Sequence, residues 1–232
     1  MGIISYDVKK SFGEKEVIKN FSFEVETGKV TVLIGKNGCG KTTWIKTALD
    51  LYSKDEGTIT YDGAKFDDVR MYTSVVFDEI PIAKNLSGYD NLEILSGGLM
   101  LKDKEVILDS LGLEKKLMKM KGKSFSFGQR HKLAVAAALI RKPRYLFLDE
   151  PSVGLDLESW DKVSKMIREA ASDGCCVLVT GHNYDLIEEI ADNVVIIKDG
   201  LIFFSGSMDS LVQSNKNLKE TYREIFMKDE VV

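Results

Sequence analysis

The eight residues Gly35-Lys36-Asn37-Gly38-Cys39-Gly40-Lys41-Thr42 constrain the fold of this chain more than any other segment. They fill every fixed position of a pattern that reads glycine, four free residues, glycine, lysine, then serine or threonine. The apolar run at 29–34 predicts a buried strand before this loop, and residues 42–49 predict a helix after it. Because a glycine-rich loop between a strand and a helix exposes backbone N–H groups to an anion, the sequence predicts a phosphate-binding loop in an α/β core.

Residues 35–43 are therefore candidate contacts for a nucleoside triphosphate. Lys41 is expected to neutralise the β- and γ-phosphates, the Thr42 hydroxyl to ligate Mg²⁺, and Thr43 to adjoin them at the helix start. Cys39 lies beside a helix N-terminus and Lys41, conditions that favour the thiolate. A redox role and a small neutral filler are both open for Cys39, and the filler is favoured because this position of the pattern is free.

Two carboxylates, Asp149 and Glu150, follow a second apolar run at 145–148. The run predicts a buried strand that ends near the phosphates. Asp149 at the strand end is a candidate ligand of Mg²⁺, and Glu150 is a candidate for polarising an attacking water. The alternative is a pair of acids in a solvated turn, which the phosphate-binding loop argues against.

Three further segments stand in a fixed order along the chain: Phe125-Ser126-Phe127-Gly128-Gln129, then Ser152-Val153-Gly154-Leu155-Asp156, then an apolar run that ends in His182. With the two sites above, they resemble the motifs of the ATP-binding cassette, the ATPase subunit of ABC transporters. The first is similar to the family signature Leu-Ser-Gly-Gly-Gln, the second to the D-loop and the third to the strand with the switch histidine. The resemblance spans nearly the whole chain.

This resemblance implies a partnership of two cassettes. In the family, ATP lies between the phosphate loop of one cassette and the signature of the other, so that Ser126, Gly128 and Gln129 would face the nucleotide of a partner chain. Asp156 would cross the interface and help place the water, and His182 would contact the γ-phosphate. A homodimer is the working choice and a heterodimer stays open. Ser126 by itself is also compatible with an ordinary helix N-cap.

The base of the nucleotide has a candidate contact in Phe12. The stretch around Phe12 resembles the place where the family stacks an aromatic ring on adenine, and a core aromatic is the alternative. The guanine-reading pattern Asn-Lys-x-Asp does not occur in the sequence, so ATP is the expected cofactor, together with Mg²⁺.

Two positions depart from the family pattern. Either Asp78 or Glu79 stands where the family has a glutamine that ligates Mg²⁺, and Asp78 is the metal-ligand candidate. An acid at this place resembles a branch of bacterial exporters that handle drugs, antimicrobial peptides or lantibiotics. Phe127 replaces a signature glycine, and both changes bear on the catalytic rate more than on nucleotide binding.

Composition and pattern predict one domain over residues 1–232. A phosphate-loop core of mainly parallel sheet flanked by helices takes residues 1–84 and 142–232, with an antiparallel part over 3–26, and an inserted helical subdomain takes about 85–141. Asp199-Gly200 predicts a tight hairpin, residues 207–228 a helix, and 228–232 a frayed end. His131 is interpreted as a solvated helix residue, and Cys175 and Cys176 as core.

The charge and hydropathy of the chain limit its function classes. A formal charge of -4 argues against a general nucleic-acid role. The apolar run at 133–140 is too short to span a bilayer, so the chain is expected to be cytoplasmic and bound to the inner face of the membrane through a separate permease, docked near residues 78–100. The sequence thus favours an ATPase subunit of an exporter. The alternative is a soluble ATPase of a non-transport process such as Fe–S cluster assembly.

Overall fold

The computed structural model describes residues 1–98, 104–212 and 217–227. The strands are β1 Gly2–Phe12, β2 Lys15–Glu26, β3 Val30–Gly35, β4 Glu56–Tyr61, β5 Thr73–Val76, β6 Tyr145–Leu148, β7 Cys176–Thr180, β8 Asn193–Lys198 and β9 Leu201–Ser207. The helices are α1 Lys41–Ala48, α2 Phe66–Val69, α3 Gly88–Leu95, α4 Lys104–Ser110, α5 Lys115–Met118, α6 Phe127–Ile140, α7 Leu157–Ser172, α8 Tyr184–Glu188, α9 Met208–Val212 and α10 Leu218–Met227.

A single mixed sheet runs through the molecule in the order β4-β1-β2-β9-β8-β3-β7-β6-β5. Strands β8, β3, β7, β6 and β5 are mutually parallel, and β3, β6 and β7 are buried along their whole length. Continuous apolar runs suit strands that are covered on both faces. Because the strands are parallel, the loops that follow β3, β6 and β7 meet at one edge of the sheet.

The N-terminal strands form the predicted antiparallel part, which includes β4 as well as β1 and β2. Their inward side chains alternate with exposed ones, as expected for a sheet with one solvated face. The indole of Trp44 on α1 is fully buried between the rings of Phe23 and Phe147, at centroid distances of 4.7 and 6.4 Å. This packing anchors α1, and with it the loop that precedes α1, to both parts of the sheet.

The predicted helical segment contains α3 to α6, while residues 99–103 of that prediction lie outside the described residues. Helix α6 begins with a capping box, in which the Ser126 hydroxyl accepts from Gln129 N at 3.2 Å and Gln129 Oε1 accepts from Ser126 N at 2.9 Å. Its residues from Leu133 to Ile140 are all buried. A helix that is apolar all round belongs inside the molecule, which explains why this run is core.

The C-terminal part confirms the predicted hairpin, since β8 and β9 are antiparallel neighbours joined at Asp199-Gly200. The helical prediction for 207–228 corresponds to α9 and α10, and residues 213–216 and 228–232 lie outside the described part of the chain. Among the described residues, no helix combines the length and the apolar character that a membrane crossing needs.

Candidate nucleotide-hydrolysis site

The predicted phosphate loop joins β3 to α1 in the expected order. Gly38 and Gly40 have φ angles of 79° and 113°, in the left-handed region that glycine adopts without strain. No side chain caps the start of α1, so its first N–H groups are open to an anion. Lys41 is 7% exposed, and its ammonium donates to the Gly35 carbonyl at 2.9 Å. The loop therefore presents a cation and free backbone donors at one point.

A buried carboxylate faces this loop across the sheet edge. Asp149 is 1% exposed and accepts hydrogen bonds from the hydroxyls of Thr42 at 2.8 Å and Thr180 at 2.5 Å. The oxygens of Thr42 and Asp149 are the kind of ligand that a hard divalent cation prefers. These two side chains could hold such a cation beside the phosphates.

Glu150 and His182 form a second pair at the same edge. The Glu150 Oε2 and His182 Nδ1 atoms are 2.8 Å apart, and the two side chains are 16% and 58% exposed. Glu150 has a φ of 57°, which is uncommon outside glycine and costs of the order of 1–3 kcal/mol. Its backbone N–H donates to Thr180 Oγ1 at 3.1 Å. The turn thus directs the carboxylate of Glu150 away from that of Asp149, as two separate roles require.

The phosphate loop and the Glu150–His182 pair line one cavity of about 390 Å³. The loop residues that line it are Asn37, Gly38, Gly40, Lys41, Thr42 and Thr43, and the remaining lining residues are Asp78 and Val153. A second cavity of about 380 Å³ adjoins it through Asn37 and Gly38 and is also lined by Lys36 and Cys39.

The structure separates the two acids that were open candidates for the Mg²⁺ position. Asp78 lines the cavity of the phosphate loop, whereas Glu79 lines a different groove on the helical side. Asp78 Oδ1 accepts from the backbone N–H of Glu79 at 2.8 Å. Of the two, Asp78 has the geometry to reach a cation in the cavity, and its role as a ligand stays a prediction.

Of the two roles left open for Cys39, burial supports the favoured one, a neutral filler, and argues against a thiolate. Burial raises the pKa of the Cys39 thiol above its ordinary value, and the opposing effect of Lys41 is smaller. The sulfur packs directly over the α-carbon of Gly35. Cys39 therefore fits the neutral-filler alternative.

Cys175 and Cys176 are buried, as predicted, and burial raises the pKa of each thiol to about 12.

The signature residues lie at the start of α6, outside the set that lines the cavity of their own chain. The Ser126 side chain is exposed, and the ring of Phe127 rests against Gly154, where any added side chain would overlap it. Gly128 lies against the Gly154 carbonyl, 2.8 Å from where its Cβ would be. The signature and the segment 152–156 therefore form one surface.

Asp156 and Phe12 have local contacts that the sequence did not indicate. Asp156 is the N-cap of α7 and accepts from Ser159 N at 2.8 Å; the hydrogen bonds from Ser159 lower the pKa of its carboxyl. The ring of Phe12 is 46% exposed and contacts the ring of Tyr52 edge-on, with the two ring centroids 5.3 Å apart. Phe12 is therefore not a core aromatic, and its stacking on adenine stays a prediction.

His131 is buried rather than solvated, which corrects the interpretation from the sequence. It is 0% exposed, its Nδ1 lies 3.0 Å from the Val153 carbonyl, and Nε2 has no hydrogen-bond partner among the described residues. Because a carbonyl only accepts, Nδ1 must carry the proton. Burial lowers the pKa of His131 below its ordinary value of 6.5. His131 thus fixes the Val153 wall of the cavity while neutral.

Replacing His131 should flatten the acid sensitivity of the fold. Since its pKa is depressed in the folded state, unfolding takes up a proton below about pH 6.5, and stability falls as the pH drops from there. His131→Gln keeps an amide donor for Val153 but does not titrate. We expect the variant to lose less stability than the parent between about pH 7.5 and pH 5.5. Urea unfolding at both pH values measures it, and an unchanged difference would contradict the assignment.

Two residues of the site were not singled out from the sequence. Thr180 connects Asp149 to the backbone of Glu150, and Val153 is a cavity wall held by His131. The sequence could have indicated Thr180, because it is a polar residue at the end of the apolar strand β7, and parallel strands bring their last residues together at one sheet edge. No feature of the sequence near Val153 indicated that it lines the site.

Comparisons with known proteins agree with this geometry. A family model described as "ABC transporter" matches residues 18–153, more than half of the chain. The lantibiotic transport ATP-binding protein SrtF of Streptococcus pyogenes is 32% identical over 220 residues, covering 93% of each chain. The bacitracin transport ATP-binding protein BcrA of Enterococcus faecalis is 29% identical over 222 residues, or 92% of this chain and 72% of the relative.

The fold is also that of solved cassettes. The structure of an ATP-binding subunit of an ABC transporter matches with a TM-score of 0.88 at 23% identity, covering 97% of this chain and 99% of the other. At that identity the match bears on the fold alone. From the family match and the SrtF relationship, this chain belongs to the ABC transporter family and is an ATP-binding ATPase.

Proposed function

We propose that this chain is the ATP-hydrolysing subunit of a membrane exporter of peptide antibiotics. The observation that carries the catalytic part is the meeting of Lys41, Asp149 and the Glu150–His182 pair around one edge of the sheet. The export part rests on the relatives, whose names include lantibiotic transport, bacitracin transport and SkfA peptide export.

In the proposed mechanism, the triphosphate lies against the N–H groups of the loop and the Lys41 ammonium. Thr42, Asp149 and Asp78 would hold Mg²⁺ through their side-chain oxygens, and the bound ion would neutralise charge on the phosphates. Glu150 accepts the proton of the attacking water, and His182 orients Glu150 through their 2.8 Å contact.

A second cassette completes the site in this proposal. Ser126 is exposed, and Gly128 and Asp156 share its surface, so all three can face the nucleotide of a partner rather than that of their own chain. The positive end of the dipole of the 14-residue helix α6 lies at this surface and favours an anion there. A homodimer is the simplest arrangement, because every motif needed on both sides is present in this chain.

A groove on the helical side is the proposed docking place for the permease. This groove, the Ile94 groove, has a volume of about 380 Å³ and is lined by Val75, Phe77, Glu79, Ile80, Ile94 and Arg141. Ile94 is 59% exposed and Val75 36% exposed, so apolar surface is available at its rim. Glu79, Ile80 and Ile94 of this groove belong to the segment 78–100 predicted for docking, and a permease bound there would hold the chain at the inner face of the membrane.

Affinity capture from detergent-solubilised membranes tests this arrangement. The tagged chain should retain a multi-span membrane protein in stoichiometric amount, and Ile94→Glu should lose it because a charge would be buried at the contact. Val106→Glu is the control, since Val106 is 65% exposed on α4 and does not line the groove. Both variants should keep the ATPase activity of the isolated chain. A stoichiometric partner that is soluble would favour the assembly alternative instead.

The direction of transport needs a separate test. The captured complex, reconstituted in vesicles with the ATP site facing outward, should accumulate a labelled lantibiotic inside the vesicles only when ATP is hydrolysed. The same vesicles with Glu150→Gln are the control. Release of peptide preloaded in the vesicles, rather than accumulation, would contradict export.

A further inference from the structure

The C-terminal helix α10 contacts two segments of the hydrolysis site. We infer that the ring stack Tyr184–Tyr222–Phe226 is a positioning unit, which holds His182 against Glu150 and links that pair to the phosphate loop. The inference rests on the proposed roles of Glu150 and His182 in ATP hydrolysis.

Three aromatic rings form a continuous stack from α8 into α10. The Tyr184 and Tyr222 centroids are 4.3 Å apart, and those of Tyr222 and Phe226 are 4.2 Å apart, with an interplanar angle of 28° in each pair. Burial raises the pKa of Tyr184 well above its usual value, and the neighbouring Tyr222 hydroxyl adds to the rise. Stacked rings at this spacing oppose rotation of one helix against the other.

Polar contacts tie the same two helices together. Glu188 Oε2 accepts from Leu218 N at 3.0 Å, and the Lys219 ammonium is 2.6 Å from Asp185 Oδ2. Helix α8 has five residues and begins two residues after His182. Because so short a helix has little stability of its own, its orientation depends on what packs against it. Helix α10, together with the buried Ile187 of α8, therefore determines the direction in which the backbone leaves His182.

The other end of the stack reaches the phosphate loop. Phe226 is 3% exposed, and the ammonium groups of Lys36 and Lys198 lie 5.8 and 5.9 Å from its ring centroid. The Lys198 ammonium also donates to the Ile225 carbonyl at 3.0 Å. Lys36 is the second residue of the phosphate loop. One helix thus contacts both the loop that binds phosphate and the segment that carries His182.

Loss of the stack should affect turnover more than ATP affinity. Phosphate binding relies on Lys41 and the start of α1, which the buried Trp44 anchors independently of α10. The His182 side chain is 58% exposed, and its Nδ1 lies 2.8 Å from Glu150 Oε2. A shift of about 1 Å in a catalytic group can cost of the order of 10²-fold in rate, so even a partial shift of His182 is measurable.

The test compares variants of Tyr222 in the purified full chain. Tyr222→Leu removes the flat ring but stays apolar, and we expect kcat to fall about 5- to 20-fold with KM for ATP changed less than about 2-fold. Tyr222→Phe keeps the ring and should retain kcat. Phe66→Leu is the stability control, because Phe66 is 8% exposed at the start of α2, where its ring pairs with Tyr61 of β4.

Combination with His182→Ala separates positioning from general destabilisation. If the stack acts through His182, Tyr222→Leu lowers kcat no further once His182 is alanine, whereas Phe66→Leu has the same effect in both backgrounds. Equal losses from Tyr222→Leu with and without His182, or no loss at all, would overturn the inference. Unchanged kcat in His182→Ala alone would refute the proposed role of His182 as well. No permease is needed, so failure of the export proposal leaves this test intact.

Discussion

Glu150→Gln is expected to stop repeated ATP turnover while ATP binding is retained. The amide has the size of the carboxylate, so the turn at Glu150 with its φ of 57° is kept, but an amide cannot accept a proton from water at neutral pH. General-base catalysis contributes typically about 10²- to 10⁴-fold, and we expect a loss of kcat in that range. Phosphate release and equilibrium binding of a fluorescent ATP analogue measure the two properties separately.

The same variant should accumulate as a nucleotide-bound dimer. When hydrolysis is blocked, ATP that joins two cassettes is not consumed, so size-exclusion chromatography with Mg²⁺ and ATP should show a dimer that the parent chain does not retain. Glu169→Gln on the exposed face of α7 is the matched control and should behave like the parent. Full turnover by Glu150→Gln would falsify the assignment of this carboxylate as the base.

Lys41→Ala is expected to weaken ATP binding itself. The ammonium is 7% exposed and lies at the start of α1, where it would meet the β- and γ-phosphates. A hydrogen bond to a charged group contributes about 1.5–3 kcal/mol, which corresponds to a rise in the dissociation constant of about 10- to 100-fold. The rate of ATP hydrolysis at low ATP concentration should fall by at least the same factor.

Isothermal titration with ATP measures this effect directly. Lys29→Ala is the matched control, because Lys29 lies just before β3, at the end opposite the phosphate loop, and pairs with Glu26 at 2.7 Å. It should bind ATP like the parent. An unchanged dissociation constant in Lys41→Ala would mean that the cavity is not the triphosphate site.

Local patterns were enough to predict the elements that carry the site. The apolar runs before the phosphate loop and before Asp149 became β3 and β6, and Asp199-Gly200 became the β8–β9 hairpin. Each of these depends on residues that are neighbours in the chain: an uninterrupted apolar run, a glycine spacing or a turn dipeptide. The order of the motifs was likewise sufficient for the family resemblance that the comparisons show.

The environment of single side chains was not predictable in the same way. His131 was interpreted as solvated, yet the tertiary fold places it under the Val153 carbonyl, 22 residues further along. Cys39 lies beside a cation, but burial outweighs that charge and raises the pKa of its thiol. Asp78 and Glu79 are adjacent in sequence, yet the fold places them at different cavities.

The sequence by itself thus determined the phosphate loop, the carboxylates after β6 and the family, since local spacing is enough to specify a strand, a glycine-rich loop or a helix start. Only the tertiary structure decided which of these groups meet. The Glu150–His182 contact spans 32 residues, and the stack of α10 on α8 brings residues from 184 to 226 together. Burial, pKa and side-chain contacts depend on distances through space, and packing of the whole chain sets those distances.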